Sequence, residues 1–571
     1  MPVTAKGLYP QGRPCERAAA RLCGTEVVSR LRCSRPRIKV RGRFFLPAGE
    51  GVFQMIVKIF MLVVFFAVTV FIGLYFRKRA SDVHGFVLAG RDVGPWLTAF
   101  AYGTSYFSAV IFVGYAGQFG WRFGTAATWV GLGNAFVGSL MPWIILGRRT
   151  RIMTHHLKSA TMPEFFGTRF NTASLKIGAS IIIFIFLIPY TASLYNGLSR
   201  LFAMAFHIDF VYCIIGMAVI TAIYVVAGGY YATAVNDFIQ GIIMLAGIIA
   251  VIATVLNDNG GFINALAGMA RIEEVNVKGA AVPGVLSSFF GPDPLSLLGV
   301  VILTSLGTWG LPQMVSKFYA IKSEKAISKG AIISTLFALV IAGGCYFLGG
   351  FGRLYGNVVE RGANGAVVFD SIIPKILERF PDILIGLVVL LVLSASISTL
   401  SSLVITSSST LTLDFLKGHV VKKMSDKKQL FIIRILIVVF IIVSVIIAVL
   451  QYKQGIMFIA QLMGVSWGAL AGSFLAHFLY GLFWKRTTKA GVWASFIFST
   501  VLMILNVLFR DAFPVIIQSP INAGAFTMLA GFIIVPAVSF ITKAPDKKQV
   551  DECFSCYDEQ VQVKVKTSLA E

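Results

Sequence analysis

Charge is scarce in this chain, and acidic charge is scarcest. Of its 571 residues only 13% are Asp, Glu, Lys or Arg, with 26 acids against 50 bases. Soluble domains carry about a quarter charged residues and about half apolar ones; here the apolar share is 57% and the mean hydropathy +0.80. That excludes a soluble globular protein. Histidine and cysteine are as thin. The six histidines do not gather at metal-ligand spacing, and His155-His156 reads as a solvated pair in a basic loop. Of the seven cysteines, three lie within residues 1–54, Cys213 and Cys345 stand alone in apolar runs, and Cys553-x-x-Cys556 closes the chain. That last pair reads as incidental and reduced, because structural zinc would need two more ligands nearby. There is no P-loop, dinucleotide fingerprint, Ser-x-Lys or nucleophile elbow, so the chain does not read as an enzyme.

What fills the space is apolar length. A bilayer needs about 20 apolar residues per helix, and thirteen runs qualify, roughly at 56–76, 96–118, 124–146, 176–203, 209–228, 233–256, 296–317, 328–352, 383–413, 429–451, 455–484, 489–509 and 521–542. The fold class is therefore an all-α polytopic membrane protein, with residues 55–545 as one membrane domain and 546–571 as a tail. The formal charge of +24 needs no nucleic acid: Lys and Arg gather in cytoplasmic loops, here 77–79, 148–151, 317–329, 417–428, 485–486 and 547–548. Thirteen spans then put the N-terminus outside and the C-terminus in the cytoplasm. Residues 1–54 depart from this, with eleven bases and three acids on the side that should be poor in positive charge. They read as a mis-assigned start or a disordered leader, with an organellar transit peptide as the alternative.

Two spans carry internal breaks. One runs through Gly103-Thr104-Ser105-Tyr106-Phe107-Ser108 to Gly114, Gly117 and Gly120. Five spans later, Gly307-Thr308-Trp309-Gly310-Leu311-Pro312-Gln313 interrupts the other, since Pro312 removes a donor and clashes with the preceding turn. Non-helical backbone at membrane depth is tolerable where it lines a cavity. Paired breaks, each opening a set of five spans, point to a five-plus-five inverted repeat with its site at the midplane, one helix before the repeats and two after.

The densest polar feature is Leu393-Ser394-Ala395-Ser396-Ile397-Ser398-Thr399-Leu400-Ser401-Ser402. At about 100° per residue, Ser394, Ser398, Ser401 and Ser402 share a helix face with Thr399 on its shoulder. Uncharged oxygen donors suit a weakly held monovalent cation better than zinc or copper, and Na+ is the expected ion. Asp237 reads either as an interfacial N-cap or as a functional intramembrane acid. Tyr190, Tyr195, Asn196, Trp309, Gln313, Gln461, Ser466 and Trp467 present polar tips on apolar bodies, as core, as an interface belt or as substrate contacts.

These residues resemble the sodium:solute symporter family, and within it the sodium/proline and sodium/pantothenate branch. The resemblance covers 55–545 and rests on Leu88 to Pro95, Met162-Pro163-Glu164-Phe165-Phe166 before Arg169-Phe170, Gly228-Gly229 followed by Asp237 and Gln240, Pro312-Gln313 before Lys317-Phe318, and Ser398 to Ser402 with Asp414 beyond. It implies a LeuT-like fold and a sodium-coupled importer of a small amino acid such as proline, or a small carboxylate such as pantothenate, working by alternating access. A uniporter or channel, or a proton-coupled carrier, is the alternative. It further implies one sodium site from the carbonyls of Thr104, Phe107 and Ala395 with the hydroxyls of Ser398 and Thr399. A possible second site comprises Asp237, Ser398, Ser401 and Ser402, giving one or two Na+ per cycle. Ser105, Tyr106, Ser108, Tyr190, Trp309 and Gln313 are the candidate solute contacts. Tyr106 departs from the proline symporters, which place an acid there. The expected surroundings are a bacterial cytoplasmic membrane, with solute, sodium and lipid as partners, no nucleic acid and no requirement for an oligomer.

Overall fold

The computed structural model describes residues 48–275, 279–362, 365–421, 424–454 and 459–558. The basic leader up to residue 47 and the end of the tail lie outside them. The chain divides into units Met1–Gly51 and Val52–Glu571. Only the first helical turn of the smaller unit is described, and all that follows concerns the larger one.

Among the described residues, ten helices are long and apolar enough to cross a membrane, or eleven if the bent pair Pro294–Gly310 and Pro312–Ala320 counts as one. The thirteen runs read from the sequence differ from this for a local reason: glycines bend helices here without ending them. Phe210–Asp258 is continuous for 49 residues through Gly229, which takes φ 59° and ψ −164°. Val110–His156 is likewise continuous for 47 residues, passing Gly124 at φ +61°.

Burial sorts these helices by depth. The apolar window of Ile459–Phe483 is 94% buried and that of Asp382–Lys417 is 78% buried, against 22% for Met55–Ala80. The first two are therefore central, and the last is peripheral. Peripheral helices turn large apolar side chains outward, among them Ile56, Phe60 and Phe71, Ile215 and Ile249, and Phe431 and Ile446. In water such a belt would be an association hazard; against lipid it is the matching surface. The serine-rich helix Asp382–Thr410 packs on Ala173–Phe206, Phe210–Asp258, Pro95–Tyr106 and Asp426–Gln454.

Both expected breaks are present. Pro95–Tyr106 stops at Phe107, whose backbone is extended (φ −95°, ψ 126°), and the chain resumes as a π-helical run, Val110–Tyr115. Pro294–Gly310 stops at Leu311 (φ −76°, ψ 122°), and Pro312 starts the next segment at a bend of 44°. The segment leading into the first break is tied to the end of the second: Val93 N–H donates to the Ala320 carbonyl at 3.2 Å, and Lys322 N–H to that of Val93 at 3.0 Å. The long loop 257–295 holds a two-stranded antiparallel hairpin, Glu273–Val275 with Ala281–Pro283. Arg353 binds Glu274 of that hairpin and stacks over Trp121 at 4.4 Å.

Candidate functional site

Where the first broken span stops, backbone groups lose their helical partners, and an unmet buried N–H or C=O costs about 1–3 kcal/mol. The serine-rich helix supplies partners across the gap. Thr399 Oγ1 lies 3.2 Å from the Thr104 carbonyl and 2.9 Å from that of Ala395, so one hydroxyl bridges two oxygens on two helices. Three of the five groups expected at the first sodium site thus converge. Phe107, the fourth, closes the broken helix with extended backbone, which turns its carbonyl away from the helix direction. Ser398, the fifth, is buried, and its hydroxyl has no hydrogen-bond partner among the described residues.

One turn further along, Asp237 is 1% exposed, and neither carboxylate oxygen accepts a hydrogen bond among the described residues. It lies well inside Phe210–Asp258, past the Gly229 bend. The N-cap alternative is thereby excluded. Ser398 and Lys317 are its polar neighbours. Ser401 Oγ donates back to the Ser398 carbonyl at 2.8 Å. Ser402 Oγ lies 2.7 Å from Ser105 Oγ and accepts from the Lys317 ammonium at 3.0 Å. Ser105, expected as a solute contact, is therefore bonded to this second group.

Lys317 was counted from the sequence with the positive loops. In the structure it is 1% exposed within Pro312–Ala320, where its ammonium lies 4.8 Å from the Tyr230 ring. A loop charge and a buried charge look alike in a run of basic residues, and only the bend at Leu311 brings this one inside. Ser396, off the face shared by Ser394, Ser398, Ser401 and Ser402, also reaches the break. Its Oγ accepts the N–H of Ala109 at 3.2 Å, the first residue past the break.

The remaining candidates separate. Tyr106 stacks on Trp467 at 5.7 Å while its hydroxyl donates to the Thr304 carbonyl at 2.6 Å. Tyr190 meets the same indole edge-on at 5.9 Å. The Tyr190 hydroxyl is buried, with the Trp467 N–H and the Ser108 hydroxyl as its polar neighbours. Ser108 accepts the Val110 N–H at 3.3 Å and so caps the resumed helix. Trp309 donates to the Val137 carbonyl at 2.8 Å and ties its helix to a neighbour, away from the Trp467 group. Gln313 is buried, with both ends of its amide unpartnered among the described residues. Among those residues no cluster of His, Cys, Asp and Glu could hold a metal ion, the buried Cys553 and Cys556 included.

Beyond the second group, a narrow cavity is lined by Lys317, Ser402, Tyr230, Thr161 and Thr410. Past it, Asp414 accepts from Thr161 at 2.6 Å and pairs with Lys176 at 3.2 Å.

Comparison with known proteins bears on the family and the fold. The sequence profile of the sodium:solute symporter family matches residues 86–499. The chain is 28% identical to the osmoregulated proline transporter OpuE of Bacillus subtilis over 492 residues, 86% of this chain and 96% of that protein. It is 29% identical to the sodium/proline symporter of Staphylococcus aureus over 501 residues, 86% of this chain and 92% of that one. Its fold matches that of a Na+-coupled sialic acid symporter, solved substrate-bound and outward-open, with a TM-score of 0.65 at 17% identity over 86% of this chain and 99% of the other.

Proposed function

The chain belongs to the sodium:solute symporter family, and from that premise we propose that it imports a small amino acid of the proline class by sodium-coupled alternating access. The observation that carries this reading is the Thr399 hydroxyl, which joins the Thr104 and Ala395 carbonyls across the first break. Add the Ser398 hydroxyl and the Phe107 carbonyl, and the set is a group of uncharged oxygens on two helices. A sodium ion there would replace hydrogen bonds that Thr399 now makes within the protein, and would hold the broken span against the serine-rich helix. Ordering that span places Tyr106 and Ser108 toward the solute, with Tyr190 and Trp467 as the ring surfaces and Gln313 as a free polar contact. Ion binding and solute binding then share one element, which is what coupling requires.

The energetics suffice. Each sodium crossing contributes about 2.3 kcal/mol per 100 mV, and about 1.4 kcal/mol is a tenfold change. One ion can therefore drive roughly 40-fold accumulation of a neutral solute before any concentration gradient is added. Splitting Phe210–Asp258 at Gly229, and joining Pro95–Tyr106 to the start of Val110–His156 up to Gly124, gives thirteen spans. On that count residues 55–545 form one transport domain built on a five-plus-five inverted repeat, with the C-terminal tail in the cytoplasm of a bacterial cell.

The test is uptake of radiolabelled L-proline, alongside a panel of amino acids and short carboxylates including pantothenate, into proteoliposomes. Uphill accumulation should require an inward sodium gradient. Accumulation without it, or equal uptake when potassium replaces sodium at fixed pH, would favour the channel or proton-coupled alternatives.

A further inference from the structure

The second oxygen group already contains a cation. The Lys317 ammonium donates to Ser402 Oγ at 3.0 Å and lies 4.8 Å from the Tyr230 ring, and its electrostatic counterpart is Asp237. It reaches this place from Pro312–Ala320, on the far side of the second break, while Asp237 and Ser402 come from two other helices. A lysine that merely filled space would keep its head in water, as long cationic side chains do when they can. This one is 1% exposed.

Sodium and a primary ammonium carry the same charge and seek the same oxygens; the ammonium differs in donating directional hydrogen bonds. Ser402 Oγ already accepts one of them and is engaged by Ser105 as well. Charge is the stronger argument. Asp237 with Lys317 is neutral overall, so adding sodium would leave a net positive charge in a buried site, where unpaired charge is strongly disfavoured. Without Lys317, the two bare oxygens of Asp237 and the unpartnered Ser398 hydroxyl would need an outside cation.

Resting on the sodium-symport reading above, we propose that the Lys317 ammonium is the resident cation of the second group, so that the chain couples its solute to a single sodium ion. Lys317 thereby sets the stoichiometry, and the Asp237, Ser401 and Ser402 positions form a sodium site only when that side chain is withdrawn.

Equilibrium binding of 22Na+ to the purified full chain in detergent reads this directly, independently of transport. The wild type should bind one sodium per chain with a Hill coefficient near one. Lys317→Gln should bind two, with the coefficient rising toward two. Lys317→Arg should stay at one, and the double variant Asp237→Asn/Lys317→Gln should return to one. Two sodium ions in the wild type, or one in a monodisperse Lys317→Gln protein, would overturn the inference. Should Lys317→Gln fail to fold, Asp237→Asn decides: it should still bind one sodium, and a loss of binding would mean that Asp237 holds the ion and the inference is wrong. A wild type that binds no sodium would sink the symport reading itself and this inference with it.

Discussion

Two groups of oxygens one turn apart on the same helix make a controlled comparison. Around Thr399 the partners are main-chain carbonyls of Thr104 and Ala395. Around Ser402 they are a buried lysine, a second serine and, across the space between, Asp237. The serine-rich helix offers the same chemistry to both. What differs is what the neighbouring helices bring: dipoles in one case, an acid and a base in the other. A cation can enter the first without displacing a charge; at the second it must displace or outlast one. Composition along one helix therefore does not define an ion site.

The largest expected effect breaks the first group. Thr399→Ala removes the bridging hydroxyl, and a hydrogen bond to a charged group is worth about 1.5–3 kcal/mol. The half-saturating sodium concentration should rise roughly 10- to 100-fold, while Thr399→Ser stays near the wild type. Sodium titration of uptake at saturating solute checks this, and unchanged sodium dependence would remove Thr399 from the site. Ser398→Ala sharpens the boundary between the groups. Its hydroxyl is unpartnered among the described residues and stands between them, so sodium dependence should weaken by about tenfold, as expected for loss of about 1.4 kcal/mol. An effect as large as that of Thr399→Ala would mean that the groups share the ion.

Ser396→Ala should act on the scaffold instead. Leaving the Ala109 N–H unmet should cost about 1–3 kcal/mol of stability, seen as a lower Tm, with sodium affinity little changed. A large sodium effect without loss of Tm would place Ser396 in the site.

The smallest effect comes from an acid outside the spans, the useful contrast to Asp237. Asp370 is buried, 4.0 Å from Arg200, and accepts the Ile459 N–H at 3.3 Å. Burial pushes its carboxyl up to about 6, against the opposing pull of Arg200 and that N–H. A raised acid contributes stability that is complete below its unfolded value, 3.8, and is lost as pH rises through about 6. Thermal unfolding should therefore show the wild type losing stability relative to Asp370→Asn across that window. Parallel curves would show that the carboxyl does not titrate there.

Much of the architecture was legible because its causes are local. Runs of about 20 apolar residues announce spans, and Pro312 announces a break through the donor it lacks. Gly103 to Ser108 held the other break for the same kind of reason. The count of spans was less legible. Gly229 and Gly124 bend helices that continue, and a hydropathy window cannot see whether hydrogen bonding survives a bend. Within the candidate site, the spacing of Ser398, Ser401 and Ser402, with Thr399 on its shoulder, pointed to the helix face that meets the first break and Lys317. Ser396, off that face, had no local sign of its contact with Ala109. Trp309 looked like a site aromatic and proved to be a cross-link to Val137.

The sequence by itself determined a membrane protein of many helices, two of them broken, with one hydroxyl-rich helix. These follow from solvation and backbone chemistry, which act residue by residue. Only the tertiary structure decided which hydroxyls meet carbonyls and which meet charge. It also decided that Lys317, a basic residue among basic residues, belongs inside. That depends on a 44° bend and on three helices converging, and electrostatic environment is a property of the convergence and not of any residue in it.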